Sequence, residues 1–159
     1  DYNTKNLADE GASRDGLKLD EVTQENFKTV LAANDYVEEG FGRIAGANLH
    51  LDSETELRVY LKLDASVEAD KVRYACDGTS LNQECSGDYI IVTIPNIAAH
   101  ELNKNFTITA ISGNNEYTLR YSVFQYAYNA LGRTDVKLNN LMKAMYRYNE
   151  AALAVLNVQ

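Results

Sequence analysis

The chain has 159 residues, of which 45% are hydrophobic, 24% are charged and one is proline. This composition is typical of a single globular domain and excludes a disordered, collagen-like or low-complexity protein. The formal net charge is −8 and no basic cluster is present, so we expect neither nucleic acid nor an anionic membrane surface as a partner. No apolar run is long enough for a transmembrane helix, so we do not expect membrane insertion.

The amino-terminal part is predicted to be mostly irregular. Residues 1–19 carry few apolar side chains and are predicted to form a polar leader. Thr23 is expected to cap a short helical turn, residues 27–33 fit either a strand or a helix, and the glycines at 40, 42 and 46 disfavour a helix. Because the sequence begins at Asp1 without a methionine or signal peptide, we expect a module taken from a longer chain.

Residues 20–121 are predicted to form an immunoglobulin-like antiparallel β-sandwich. The strongest signal is the period of two over residues 57–63, where aliphatic side chains alternate with Arg58, Tyr60 and Lys62. Turn residues such as Asp77-Gly78 separate short strands, which is typical of a sandwich. The other predicted strands are 48–51, 72–76, 89–94, 106–111 and 116–121.

Residues 122–159 are predicted to form an antiparallel helical hairpin that docks on the sandwich, which makes the fold α+β and the chain one structural unit. Ser122 is expected to cap a first helix that ends near Leu131. A second helix is predicted from Thr134 or Asp135. Its apolar residues recur at steps of three and four, at Leu138, Leu141, Met145, Tyr148, Ala152 and Val155.

No arrangement of residues in the sequence indicates catalysis. His50 and His100 lie in no pattern that supplies a nucleophile, a base and an orienting acid, and no GxSxG motif is present. The pair Glu54 and Glu56 is uninformative among 23 acidic residues, and the glycines of residues 40–46 depart from the phosphate-binding spacing. We therefore expect a protein that is not an enzyme and holds no cofactor.

A structural calcium ion is the one metal for which the sequence offers ligands. Asp64, Glu68 and Asp70 lie on both sides of a predicted loop, and Asp77 or Asp88 could supply a further ligand oxygen. Oxygen-rich loops at the ends of sandwiches do bind calcium, but no EF-hand pattern is present. A solvated acidic loop is the simpler interpretation.

The two cysteines, Cys76 and Cys85, are separated by turn-forming residues and lack the spacing of a metal or redox motif. A disulfide that closes a local hairpin fits an exported protein. Two free thiols fit equally well, because the sequence does not show whether the two Cβ atoms meet. The sequence leaves both states open.

The eleven tyrosines, together with the absence of tryptophan, are the most unusual feature of the composition. Tyr36, Tyr60 and Tyr89 are predicted to lie at the surface, where a tyrosine ring can stack on a sugar. These three are the candidate glycan contacts. The tyrosines on the predicted helices are expected to pack inside the protein: Tyr126, Tyr128, Tyr146 and Tyr148.

The second predicted helix is a candidate surface for protein contact. Met142, Tyr146 and Leu153 widen its apolar face beyond the seam that one neighbour covers. These residues are predicted to contact an adjacent module or a second copy of the chain. The alternative is that the first helix and the sandwich together cover the wider face.

Six segments follow one another in an order that resembles a known kind of module: 2–8, 51–58, 76–78, 94–99, 121–128 and 141–152. The module is repeated in large secreted multimodular surface proteins of Gram-positive gut anaerobes, and the resemblance covers nearly the whole chain. It implies an extracellular, cell-surface location. Its implied partners are neighbouring modules of the same polypeptide, cell-surface proteins or glycans.

Two functions are open on these grounds. The resemblance and the lack of a catalytic pattern favour a non-catalytic accessory module, which serves as a spacer, stabiliser or attachment element. The sandwich fold and the surface tyrosines favour, as the alternative, a carbohydrate-binding module of a polysaccharide-active surface protein. The absence of tryptophan, whose ring is a common sugar platform, counts against the alternative.

Overall fold

The described part of the chain begins within the predicted leader. The leader lies outside the described residues as far as residue 16, and Tyr36 and most of the segment 27–33 also lie outside them. The computed structural model describes residues 17–28, 37–131 and 135–158.

Two antiparallel sheets form the body of the protein. The strands of the described residues are Val37–Glu38 (β1), Gly42–Leu51 (β2), Thr55–Leu63 (β3), Val72–Cys76 (β4), Thr79–Ser80 (β5), Asn82–Ser86 (β6), Tyr89–Ile94 (β7), Phe106–Ser112 (β8) and Asn115–Tyr121 (β9). The strand orders of the two sheets are β1-β2-β3-β7-β6 and β5-β4-β8-β9. In an immunoglobulin fold, β2-β3-β7-β6 correspond to the A-B-E-D sheet and β4-β8-β9 to the C-F-G sheet, with β5 added beside β4. The predicted immunoglobulin-like sandwich is therefore confirmed.

Strand β3 shows how the alternation in sequence builds the sandwich. Leu57, Val59 and Leu61 have no exposed surface, whereas Arg58 and Tyr60 between them are partly exposed. Successive side chains of a strand point to opposite faces, so this pattern buries one face of β3 between the sheets. Each buried aliphatic side chain contributes about 1.5–3 kcal/mol relative to an exposed one.

The β4–β5 hairpin follows from the turn residues Asp77 and Gly78. Both have positive φ angles, 50° and 82°. A type I′ turn requires positive φ at both central residues, and asparagine, aspartate and glycine adopt that conformation most readily. The turn places Cys76 opposite Thr79, which sets the register of the hairpin.

The C-terminal part consists of two α-helices, Val123–Ala130 (α1) and Val136–Val158 (α2). Ser122 caps α1 as predicted, since its Oγ accepts a hydrogen bond from the backbone N–H of Gln125 at 2.9 Å. Asp135 caps α2 in the same way, because its Oδ1 accepts from the N–H of Leu138 at 3.1 Å. The predicted helical hairpin is confirmed. Neither of these helices, in the described part of the chain, has the length and apolar character needed to cross a membrane.

The helices and the sandwich share one hydrophobic core. Phe124 of α1 and Met142 of α2 belong to the same cluster of buried residues as Val59 and Ile108 of the sheets. Phe27, from the 3₁₀ turn Gln24–Phe27, packs edge-to-face on the Phe124 ring at a centroid distance of 5.0 Å. The hairpin is therefore docked on the sandwich through continuous side-chain packing.

The last residues of the predicted leader take part in this packing. Leu17 and Leu19 pack in a small cluster with Ala144 of α2. The Nε of Arg147 donates a hydrogen bond to the carbonyl oxygen of Leu17 at 2.9 Å. Residues 17–19, at the end of the predicted leader, are thus held against the second helix.

Candidate functional site

The outer face of the five-stranded sheet carries the candidate site. Residues that pair directly across antiparallel strands point to the same side, so the register places side chains in rows. One row runs across β2, β3, β7 and β6 through Gly46, Tyr60, Ile91 and Glu84. Leu57, Val59 and Leu61 of β3 face inward, so this row lies on the side of the sheet away from the core.

A groove of about 340 Å³ opens on this face. Residues 45–48 of β2, Tyr60 of β3, Tyr89 of β7 and Tyr126 of α1 line it. Helix α1 packs against β2, which brings Tyr126 to the groove. Two of the three predicted glycan contacts therefore line one groove, and a helical tyrosine joins them.

The rings of Tyr60 and Tyr89 pack against one another. Their centroids lie 6.4 Å apart at an interplanar angle of 67°, which is an edge-to-face arrangement. Tyr89 is 39% exposed and Tyr60 is half-buried, so both rings keep surface available to a ligand. Rings that are held in place before binding lose little conformational entropy when a ligand covers them.

Gly46 opens the space beside the Tyr60 ring. A β-bulge between Ile44 and Gly46 shifts the register of β2, and Gly46 then pairs directly with Tyr60. A Cβ atom built on Gly46 would meet no other atom within 4 Å. A glycine in a strand interior often marks a place where a ligand approaches the backbone, and here it leaves the floor of the groove clear.

Charged side chains stand next to the aromatic rings. The Nζ of Lys62 lies 5.6 Å from the centroid of the Tyr89 ring and 3.5 Å from Oδ2 of Asp88. The Nη2 of Arg58 lies 3.2 Å from Oε2 of Glu56. Such pairs at the surface contribute at most about 1 kcal/mol each, so their polar atoms can exchange partners with a ligand.

The three residues predicted to contact a partner protein lie in different surroundings. Met142 has no exposed surface and belongs to the core, so the expected contact at Met142 is corrected to internal packing. Tyr146 packs edge-to-face on the Phe27 ring, 5.5 Å away between centroids. Leu153 is half-buried near the end of α2, where Val155 and Leu156 are exposed.

The two cysteines lie on different sheets. Cys76 is buried at the end of β4, and Cys85 is exposed on β6. Both are free thiols in the structure, and they do not belong to one hairpin. Burial raises the pKa of the Cys76 thiol, which makes it less reactive as a nucleophile.

The acids considered for calcium are not gathered into a site. Glu68 pairs with Lys71 at 2.6 Å, and Asp77 pairs with Lys104 at 2.9 Å. In the described ranges 17–28, 37–131 and 135–158, no three histidine, cysteine, aspartate or glutamate side chains come together in a way that could hold a metal ion. These acids act as surface charges in the structure.

The two histidines lie on separate elements. His50 is half-buried on β2, directly opposite Glu56 of β3. His100 is exposed in the 3₁₀ turn Ala99–Glu101. The structure does not bring them together.

Two groove residues are missed by the sequence analysis, Gly46 and Tyr126. The sequence treats Gly46 as a residue hostile to helix, although an isolated glycine between strand residues is itself a signal for a bulge or a close approach. Tyr126 is predicted to be internal because it lies on an amphipathic helix. Its place in the groove depends on how α1 packs against β2, which no local pattern reports.

No protein-family model matches the chain, and no curated protein matches its sequence significantly.

Proposed function

We propose that the protein is a non-catalytic accessory module of an extracellular, cell-surface protein, and that it binds carbohydrate in the groove formed by Gly46, Tyr60, Tyr89 and Tyr126. One observation carries the proposal. Tyr60 and Tyr89, singled out in the sequence as surface platforms, line the same groove beside a glycine that clears its floor.

The chemistry of the groove suits a sugar. A sugar ring presents an apolar face of C–H groups and a rim of hydroxyl groups. The Tyr60 and Tyr89 rings offer apolar surface for the face, while Asn48 and Lys62 offer hydrogen-bonding groups for the rim. Most of the lining lies on paired strands, which hold it more rigidly than loops would.

The extracellular location and the multimodular context rest on the resemblance of the sequence to repeated surface modules. An immunoglobulin-like sandwich supports this context only by analogy, because that fold serves many functions. A sugar-binding accessory module would hold a neighbouring module of the same polypeptide near its glycan. Glycan binding in the groove would therefore be how this accessory module provides attachment.

A glycan-binding screen followed by calorimetric titration tests this proposal. We expect saturable binding to at least one oligosaccharide. Tyr60→Ala and Tyr89→Ala each remove a stacking surface and should weaken binding about tenfold or more, or about 1.4 kcal/mol. Gly46→Leu should abolish binding by filling the groove. It should still fold, because a Cβ atom at this position meets no other atom within 4 Å and the position opens on the groove.

Two control variants distinguish specific binding in the groove from non-specific binding to the rest of the surface. Leu156→Ala removes an apolar side chain that is 46% exposed on α2 and does not line the groove, so it should leave binding unchanged. Tyr89→Phe keeps the ring and should retain most of the affinity. The proposal fails if no glycan binds in the whole screen, or if the three groove variants bind as tightly as the unmodified protein.

A further inference from the structure

Two cations face one another directly at one end of the groove face. The β2–β3 register pairs Arg43 with Lys62, so both side chains project from the outer face. Like charges directly opposite one another on neighbouring strands destabilise a sheet. The pair of Arg43 with Lys62 lies one row away from the pair of Gly46 with Tyr60, a distance of about 7 Å along the strand.

The positive charge at this position is only partly neutralised. Lys62 pairs with Asp88 at 3.5 Å, but the Asp88 side chain is 84% exposed, so the pair is weak and open to competition. Arg43 is exposed and forms no ion pair with any residue that the structure describes. The acid in the next row on this face is Glu84, which lies beyond Ile91 on the edge strand β6.

We propose that the groove selects an acidic sugar, a hexuronic acid, whose carboxylate lies between Arg43 and Lys62 while its ring covers Tyr89 and Tyr60. This inference rests on the proposed carbohydrate-binding function and specifies its ligand class. It explains why two cations occupy directly opposed positions in a protein whose net charge is −8.

The geometry favours a carboxylate on a sugar over a free anion. Lys62 lies over the Tyr89 ring as well as beside Arg43, so the cation and the stacking surface are adjacent. A sugar ring on Tyr89 would hold its own carboxylate at Lys62 without further ordering. The guanidinium of Arg43 can then form two parallel hydrogen bonds with the two carboxylate oxygens.

The test compares two matched oligosaccharides by calorimetric titration against the full chain. One is a tetragalacturonate, and the other is the same tetrasaccharide with its carboxyl groups reduced to alcohols. We expect the acidic form to bind at least tenfold more tightly. Its affinity should fall as salt is raised, because exposed charges are screened, whereas the affinity for the reduced form should not change.

Charge-removing variants locate the contact. Arg43→Gln and Lys62→Gln should each lower the affinity for tetragalacturonate about tenfold and leave the reduced form unaffected. Arg120→Gln is the matched control, because Arg120 is an exposed cation on β9 of the other sheet. It should bind both ligands as the unmodified protein does.

Each outcome decides between the two proposals. If the reduced tetrasaccharide or another neutral glycan binds as tightly as the acidic one, the preference for an acidic sugar is wrong and carbohydrate binding stands. If Arg43→Gln and Lys62→Gln bind tetragalacturonate normally, the carboxylate contact is wrong. If no glycan binds at all, both proposals fail.

Discussion

The buried Tyr74 side chain places a polar hydroxyl group in the core. It is 3% exposed, and among the described residues its hydroxyl has no hydrogen-bond partner. Its ring packs edge-to-face on Phe41 at a centroid distance of 6.4 Å. A buried hydroxyl without a partner costs about 1–3 kcal/mol, so Tyr74 contributes packing and a polar penalty together.

Replacement of Tyr74 by phenylalanine should therefore stabilise the protein. We expect Tyr74→Phe to raise the free energy of unfolding by about 1 kcal/mol, since the ring contact remains and the unpaired group is removed. Tyr121→Phe is the comparison, because the Tyr121 hydroxyl accepts a hydrogen bond from Nδ2 of Asn129 at 3.5 Å. It should leave stability unchanged or lower it. Urea denaturation measures both, and a loss of stability in Tyr74→Phe would contradict the prediction.

The same two tyrosines predict how stability changes at high pH. Burial raises the pKa of both Tyr74 and Tyr121 from 10 to about 12. The folded state thus holds these protons more tightly than the unfolded state. Their contribution to stability is complete below pH 10 and is lost as the pH rises through 12.

We expect the urea midpoint of the unmodified protein to fall steeply between pH 10 and 12. Tyr74→Phe removes one of the two groups and should show a shallower fall over the same range. Equal slopes for the two proteins would show that Tyr74 does not contribute to this pH dependence.

Among the elements, helix α1 depends most on its cap. Ser122 has no exposed surface, so no solvent can replace its hydrogen bond to the N–H of Gln125. We expect Ser122→Ala to lower the free energy of unfolding by about 1–2 kcal/mol. Asp135→Ala at the exposed start of α2 should cost less, because water can reach the N–H group that it leaves. Thermal unfolding of Ser122→Ala and Asp135→Ala measures both losses of stability. Equal losses in the two variants would contradict the prediction.

The predictability of an element followed the strength of its local signal. Strands β4 and β7 have the predicted bounds. Turn residues stand beside each of them, and β-branched side chains fill β7. Strand β6 has five exposed residues and shows no alternation, so nothing local indicates a strand. β6 forms because its backbone pairs with β7. This pairing is a tertiary interaction, which the residues of β6 themselves do not indicate.

On the scale of the whole molecule, the site was less predictable than the fold. The exposed side of β3 and the start of β7 follow from alternation, which is why Tyr60 and Tyr89 could be chosen in advance as surface residues. Their meeting in one groove requires the β3–β7 pairing, and Tyr126 joins them only through the packing of α1 on β2. Long-range pairings of this kind decide a site, and they have no signature within a single segment.

Strand β6 also bears on how the protein behaves beside its own copies. Among the strands that the structure describes, it ends one sheet, so its outward backbone groups are a template on which a strand from another molecule can add. Asn82, Gln83, Glu84 and Ser86 supply polar side chains along it, and Gln83 bonds to the carbonyl oxygen of Val72 on the opposite sheet at 3.0 Å. An added strand would gain hydrogen bonds here but hardly any apolar contact, and it would meet the charge of Glu84. The sheet can therefore end in an open edge and still resist edge-to-edge association when many copies are crowded together.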